Sequence, residues 1–291
     1  MTVYPASVTP FDGQGKVDPA GVIKLLAWFR AAECHGVVVA GTNGEGPSLS
    51  AVEKRDLVRL AVDLGGDLRV ILGVASASLT EAVWLSKQAA KAGSEAILVM
   101  PPAYFTEASQ DGIARWFEAL AEDGDSPILV YNFPKRTGVR FEIETIARLA
   151  ENPKVVGFKD SSGEAGNLAA YKAVSRGKRL LVGDETLLME ALRHGWSGTI
   201  SGATNVIPSW IVQVVRDFNE RPESSEAKFQ LILEAIRALR SLPQPVGNKA
   251  MLRRMKVLSS DSVRLPLLDL AAADLDRAAD VVFRLVGAES P

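Results

Sequence analysis

Between residues 3 and 219, short apolar runs alternate eight times with amphipathic stretches. The runs fall at 3–8, 36–40, 69–73, 95–100, 127–131, 154–159, 179–182 and 198–201. Each is four to six residues long, and several are rich in Val, Ile and Leu, such as Gly36-Val37-Val38-Val39-Ala40. Runs of this kind suit strands covered on both faces, and covered strands belong to parallel sheets. The intervening stretches predict helices at 18–33, from Ser50 onward, and at 80–92, 109–121, 142–150, 164–174, 186–194 and 208–219. Asp18 followed by Pro19 marks one helix start, and Ser50 with Glu53 three residues on forms a capping box. Strict alternation at this spacing means βαβ units. Eight of them predict an α/β fold, a closed (β/α)8 TIM barrel, with an open doubly wound sheet as the runner-up.

After residue 223 the strands stop. Helical patterns at 223–242, 245–258 and 271–286 predict a C-terminal helical appendage. The expected division is a barrel over 1–220 and an appendage over 221–291, jointed at Arg221-Pro222-Glu223-Ser224-Ser225.

Composition narrows the function classes. The chain has 291 residues, 47% hydrophobic and 23% charged, as expected of a globular protein. Lys plus Arg number 33 against 35 Asp plus Glu, a balance that gives no support for a nucleic-acid or membrane-surface partner. Cys34 is the single cysteine, so no intrachain disulfide forms, and with only His35 and His194 a structural zinc site is not expected. Residues 1–11 lack the basic start and apolar core of a signal peptide, and no apolar run reaches the ~20 residues of a membrane span. The expected location is the cytoplasm.

Active sites of barrels lie at the C-terminal ends of the strands. That places Thr9, Thr42 to Glu45, Tyr104, Tyr131, Arg136, Lys159, Asp184 and Glu185 around one mouth. Lys159 ends the apolar run Val155-Val156-Gly157-Phe158. An ammonium in an apolar site costs several kcal/mol, roughly, unless it is paired or loses its proton. The neutral amine is the nucleophile of Schiff-base chemistry. The alternative is a lysine that leaves the sheet and is solvated. Gly41-Thr42-Asn43-Gly44-Glu45-Gly46 can aim backbone N–H groups at an anion, or be a tight strand-to-helix turn. Its order is not the G-x-G-x-x-G of a dinucleotide site. Tyr131 can relay a proton or be a plain strand-end tyrosine. Arg136 can clamp a carboxylate or be a solvated loop residue. Asp184 and Glu185 are either an acid–base pair or the cap of the helix from Thr186. Cys34, His35 and His194 read as structural.

These motifs, in this order, resemble the dihydrodipicolinate synthase / N-acetylneuraminate lyase family of pyruvate-dependent class I aldolases. The resemblance runs from Thr9-Pro10-Phe11 through Gly-Thr-Asn-Gly-Glu (41–45), Tyr-Asn-Phe-Pro (131–134), Gly-Phe-Lys-Asp (157–160) and Gly-Asp-Glu (183–185) into the helical C-terminus. It implies that Lys159 forms a Schiff base with a 2-oxo acid and that Tyr131 shuttles protons. It implies that Thr42 links Tyr131 to a second tyrosine, best matched by Tyr104, which reaches a neighbouring subunit's site. Thr42 and Asn43 lie in the loop that holds the pyruvyl carboxylate. Arg136 matches the arginine for the carboxylate of the second substrate, and Gly183, Asp184, Glu185 and Ile200 complete the implied substrate contacts. The resemblance further implies small-molecule partners (a 2-oxo acid and an aldehyde), no metal, no diffusible cofactor, and a homotetramer built as a dimer of dimers.

The departures bear on the substrate. Arg136 in Lys-Arg-Thr-Gly favours a synthase that condenses pyruvate with an acidic aldehyde such as aspartate semialdehyde. Asn43 replaces a threonine common in synthases and resembles 4-hydroxy-2-oxoglutarate aldolase, and Ala103 stands where synthases often carry a tyrosine. Gly-Pro-Ser-Leu-Ser (46–50) resembles some 2-keto-3-deoxygluconate aldolases, residues 102–112 are similar to certain sugar-acid dehydratases, and Asp184-Glu185 resembles the hydroxyl-binding pair of neuraminate lyases. Synthase chemistry is the leading expectation, with these aldolases and dehydratases as alternatives. Two other classes are an NAD-dependent oxidoreductase on an open sheet, which a cofactor titration tests, and a non-catalytic binding protein, against which intact Lys159 and Tyr131 argue.

Overall fold

The apolar runs become strands because their side chains have covered surface on both sides. In a computed structural model, which describes residues 1–287, the strands are β1 (Thr2–Pro5), β2 (Gly36–Val39), β3 (Arg69–Val74), β4 (Ala96–Val99), β5 (Ile128–Asn132), β6 (Val155–Asp160), β7 (Arg179–Val182) and β8 (Gly198–Ser201). All pair in parallel, in the order β1-β8-β7-β6-β5-β4-β3-β2. The ring closes where Ala6 bridges Val38 and the Ser7 N–H donates to the Val38 carbonyl at 2.9 Å. Closure disposes of the open-sheet alternative. The expected first strand, 3–8, is shorter because after Ala6 the chain turns off the sheet and the Val8 N–H is taken by Asn205 Oδ1 at 3.0 Å.

The helices between strands are α1 (Pro19–Ala31), α2 (Ala51–Leu64), α3 (Leu79–Ala92), α4 (Gln110–Asp123), the single turn α5 (Pro134–Thr137), α6 (Ile143–Glu151), α7 (Gly166–Val174) and α8 (Leu188–Arg193), and α9 (Pro208–Glu220) follows β8. The Ser50–Glu53 capping box forms in both directions, and Asp18 accepts the Ala20 N–H at the start of α1. Two apolar layers result. One fills the space between strands and helices. The other fills the barrel interior with Tyr4, Val38, Ile71, Leu98, Leu129, Tyr131, Leu181 and Ile200. At the N-terminal end the Tyr4 hydroxyl donates to Glu95, which also pairs with Arg179 at 2.5 Å, so the floor of the barrel is plugged.

The C-terminal part consists of α10 (Pro222–Ser241), α11 (Val246–Arg254) and α12 (Ala272–Gly287); residues 288–291 of the expected appendage lie outside the described residues. The expected joint at 221–225 is a stitched corner. Asp217, fully buried, accepts from Arg221 at 2.5 Å, Ser224 at 3.1 Å and Lys228 at 2.7 Å, and α10 folds back along α9. No helix among the described residues is long and apolar enough to cross a membrane.

The segment after α11 is fastened to the barrel by Arg264. Its guanidinium donates to Glu53 at 2.5 and 3.0 Å and to the carbonyls of Ser48 and Gly15. The hydrogen bond from Arg264 is the main reason the Glu53 carboxyl is lowered from 4.5 to about 2, against the opposing effect of burial. A carboxyl held below its unfolded value contributes stability that is complete above about pH 4.5 and is lost as pH falls towards 2. Thermal melts between pH 6 and 2.5 should show Tm falling below pH 4.5. In Arg264→Ala the fall through that window should be shallower, from a lower starting Tm.

Candidate active site

The parallel register sets Tyr131 of β5 beside Lys159 of β6, and Lys159 beside Leu181 of β7. All three sit at the C-terminal end of the barrel, and Tyr131 and Leu181 belong to the interior layer. Lys159 is 5% exposed, and its Nζ lies 4.0 Å from the centroid of the Tyr131 ring. Among the described residues no carboxylate lies within ion-pair distance of it. The Tyr131 ring stacks on Phe133 and its hydroxyl accepts from Ser161 Oγ at 3.3 Å. Gly183 makes this crowding possible. A Cβ there would fall 1.9 Å from Ser161 Oγ and 2.8 Å from Lys159 Cε.

The lysine opens into a cavity of about 450 Å³. Thr42, Asn43, Tyr131, Arg136, Ser161, Gly183, Glu185, Ile200 and Gly202 line the barrel side, and Leu239 and Arg240 of α10 with Leu242, Pro243 and Gln244 just after it line the other. The polar groups are amines, hydroxyls, amides, guanidinium groups and the Glu185 carboxylate, which Arg240 pairs; the cations and N–H donors suit an anionic ligand.

The loop after β2 is held by its acid. Glu45 adopts a left-handed backbone with φ of 52°, and the Gly46 N–H returns to the Gly41 carbonyl at 2.9 Å. Glu45 is buried 2.5 Å from Lys249 Nζ and accepts the Arg264 backbone N–H at 2.9 Å. Burial pushes the Lys249 ammonium down to about 8 while Glu45 opposes that shift, and Nζ also donates to the Ser262 carbonyl and stands 4.0 Å over the Phe11 ring. Thr9 does not face the cavity. Its hydroxyl donates to the Gly44 carbonyl at 2.7 Å and braces the same loop.

Other expected residues are placed differently. Thr42 Oγ1 is buried with no partner among the described residues, so within one chain the expected link from Thr42 to Tyr131 is not made and Ser161 takes that place. Tyr104 is 82% exposed, packed edge-on against Phe105, and lines a second, more apolar cavity of about 620 Å³ next to the first. Arg136, on α5, borders both cavities. Asp184 caps Thr186, and Arg240 of α10 binds Asp184 at 2.7 Å and Glu185 at 2.8 Å. The second Glu185 oxygen accepts the Ala203 N–H at 2.9 Å, so both oxygens of that carboxylate are occupied. Next to Lys159, Asp160 is buried among Asn132, Ser162 and Asn167; burial raises its carboxyl, and their hydrogen bonds oppose the rise.

Ser161, Arg240, Asn248 and Lys249 are site residues that sequence reasoning missed. Ser161 had a signal, its position two residues after Lys159. The others act across the chain from helices with no motif of their own.

A closed parallel barrel with an unpaired buried lysine and a tyrosine at its mouth defines the lysine-centred lyases of the (β/α)8 class. The model of the dihydrodipicolinate synthetase family matches residues 1–283, and the chain belongs to that family. It is 36% identical over 276 residues to a 4-hydroxy-tetrahydrodipicolinate synthase of Listeria monocytogenes, covering 93% of each chain. It is 31% identical over 287 residues to that of Methanothrix thermoacetophila, covering 97% of this chain and 96% of the relative. Among solved structures, the 4-hydroxy-tetrahydrodipicolinate synthase of Methylacidiphilum fumariolicum SolV superposes with a TM-score of 0.93 at 31% identity, over 98% of this chain and 96% of that one.

Arg240→Ala leaves the Asp184 and Glu185 carboxylates without their cation. With Arg240 partly exposed, the expected cost is about 1–2 kcal/mol. Thermal melts should show a Tm lower by roughly 2–8 °C. Glu185→Gln in that background should recover part of the loss.

Proposed function

We propose that this chain is a cytoplasmic Schiff-base enzyme that condenses pyruvate with an acidic aldehyde, aspartate semialdehyde first among them. The observation that carries the reading is Lys159, buried and without a carboxylate partner among the described residues, against the Tyr131 ring and open to the cavity. Family membership and the named relatives support the choice of substrates.

The proposed reaction starts with the neutral Nζ of Lys159 adding to the keto carbon of pyruvate, and loss of water leaves an iminium. The iminium draws electrons from the adjacent methyl, which gives up a proton to form an enamine. Tyr131, hydrogen-bonded to Ser161, is the group placed to move that proton. The enamine carbon then bonds to the aldehyde carbon, whose oxygen takes a proton. The amino group of the semialdehyde adds to the former keto carbon, the bond to Lys159 breaks, and a six-membered ring leaves. No bound cofactor or metal enters these steps. In this reading Thr42 and Asn43, with their backbone N–H groups, bind the pyruvyl carboxylate, and Arg136 binds the carboxylate of the aldehyde; all three line the cavity. Thr42 completes its proton relay, in this reading, when Tyr104 of a second copy approaches. The exposed Tyr104–Phe105 pair supports assembly into the homotetramer that the resemblance implies.

Asn43 and Ser161 also make a polar wall that fits the hydroxyls of a 2-keto-3-deoxy sugar acid, cleaved through the same enamine. A panel of pyruvate with aspartate semialdehyde, glyoxylate, glyceraldehyde and N-acetylmannosamine separates the readings by kcat/KM.

Borohydride added with pyruvate should attach one pyruvyl group to the peptide containing Lys159, and Lys159→Ala should abolish the adduct. Labelling that survives the substitution removes Lys159 from its role.

Arg136→Ala should raise KM for the acidic aldehyde by about 10-fold or more, the effect of losing a charged hydrogen bond. Pyruvate adduct formation should be nearly unchanged. An equal loss of both assigns Arg136 to the pyruvyl end instead.

A further inference from the structure

Asn248 lies on α11, wholly buried, and its side chain reaches the mouth from outside the barrel. Its Nδ2 donates to Asn43 Oδ1 at 3.0 Å and to the Gly202 carbonyl at 3.0 Å. The Gly202 carbonyl can only accept, so Asn248 must turn its NH2 towards it. That NH2 then requires an acceptor from Asn43, which must present its carbonyl oxygen. The Asn43 NH2 is thereby turned away from Asn248, and the whole amide lies over Gly202, where a Cβ would stand 3.0 Å from Nδ2 and 3.3 Å from Oδ1. Asn43 and Gly202 both line the cavity of Lys159. Asn248 Oδ1 is buried with no partner among the described residues. An orphaned buried oxygen is a cost in stability, so what Asn248 contributes is orientation.

We propose that Asn248 is a positioning residue: it fixes the Asn43 amide as a hydrogen-bond donor to the carboxylate of the bound 2-oxo acid. This rests on the Schiff-base reading given above. A backbone carbonyl on β8's following turn thus sets, through two amides in series, the polarity of one wall of the site. Free to rotate, the Asn43 amide would offer its oxygen to an anion as readily as its N–H.

The test uses pyruvate and the full-length protein. Asn248→Ala frees the Asn43 amide. Asn248→Asp keeps the shape but offers at most one donor proton where two are needed. Both should raise the pyruvate concentration for half-maximal borohydride trapping, and KM for pyruvate, by about 10-fold, the worth of one hydrogen bond to a charged group. In both, kcat at saturating pyruvate should stay within about threefold. Gly202 has an ordinary right-handed backbone, φ −76°, which alanine adopts freely, and a methyl group there would stand 3.0 Å from Asn43 Nδ2 and 3.3 Å from its Oδ1, so Gly202→Ala presses the amide out of place. It should raise KM for pyruvate with Asn248 intact, and an unchanged KM in folded Gly202→Ala removes the Asn43 donor, and the proposal with it, even if the Asn248 variants do not fold. Unchanged half-saturation in folded variants overturns the proposal, as does a fall in kcat that tracks Tm with KM unmoved. Absence of a pyruvate adduct in the unaltered protein overturns instead the reading on which the proposal rests.

Discussion

The register between β5 and β6 is the constraint on which the site depends. Tyr131 opposes Lys159 because the two strands run parallel with their backbones in step at that point. Side chains alternate between faces along a strand, so a slip of one residue would send one of the pair into the helix layer. A bulge at Val156 of β6, between Val155 opposite Ile128 and Gly157 opposite Leu129, brings the strands into this phase. Closure of the ring then fixes where the mouth lies, and the plugged floor leaves the mouth as the opening.

The C-terminal helices are part of this machinery. Arg240 saturates the carboxylates after β7, Lys249 holds the acid of the loop after β2, and Arg264 pins the helix that follows that loop. The Lys249–Glu45 pair is withdrawn from water, where removing one partner is costly because the other charge stays behind, while Arg240 and Arg264 keep part of their guanidinium in solvent. The barrel carries Lys159 and Tyr131, and the helices beyond Glu220 fix their surroundings. The cavity has barrel on one side and the end of α10 on the other.

Most of the fold was legible from the sequence. The bounds of β7 and β8 match the expected 179–182 and 198–201, and the Ser50–Glu53 box forms as read. These are local signals: apolar runs, caps and spacing. Boundaries shifted where a side chain or an unusual backbone intervened. The helix expected at 186–194 opens as a tighter turn because Asp184 takes the Thr186 N–H. The helix expected at 245–258 stops at Arg254, after which Lys256 turns left-handed at φ 61° with no glycine to announce it. In the site, residues carried by strand-end motifs were visible: Lys159, Tyr131, and the 41–46 loop. What was hidden depends on pairs far apart in the chain, such as Arg240 with Glu185 and Asn248 with Asn43. No window of sequence contains both members.

The latch between Asn248 and Asn43 joins residues 205 positions apart, and Lys249 reaches Glu45 over a similar span. On a ribosome, the first quarter of the barrel emerges long before its fastenings. At ordinary synthesis rates the delay is roughly 10–40 s. Through that interval Glu45 has no lysine to neutralise it and no reason to enter an apolar surrounding. A chain released short of α11 would carry Lys159 and Tyr131 but lack the parts that shape the loop facing them. The loop facing Lys159 therefore reaches its final form only once α11 has been made.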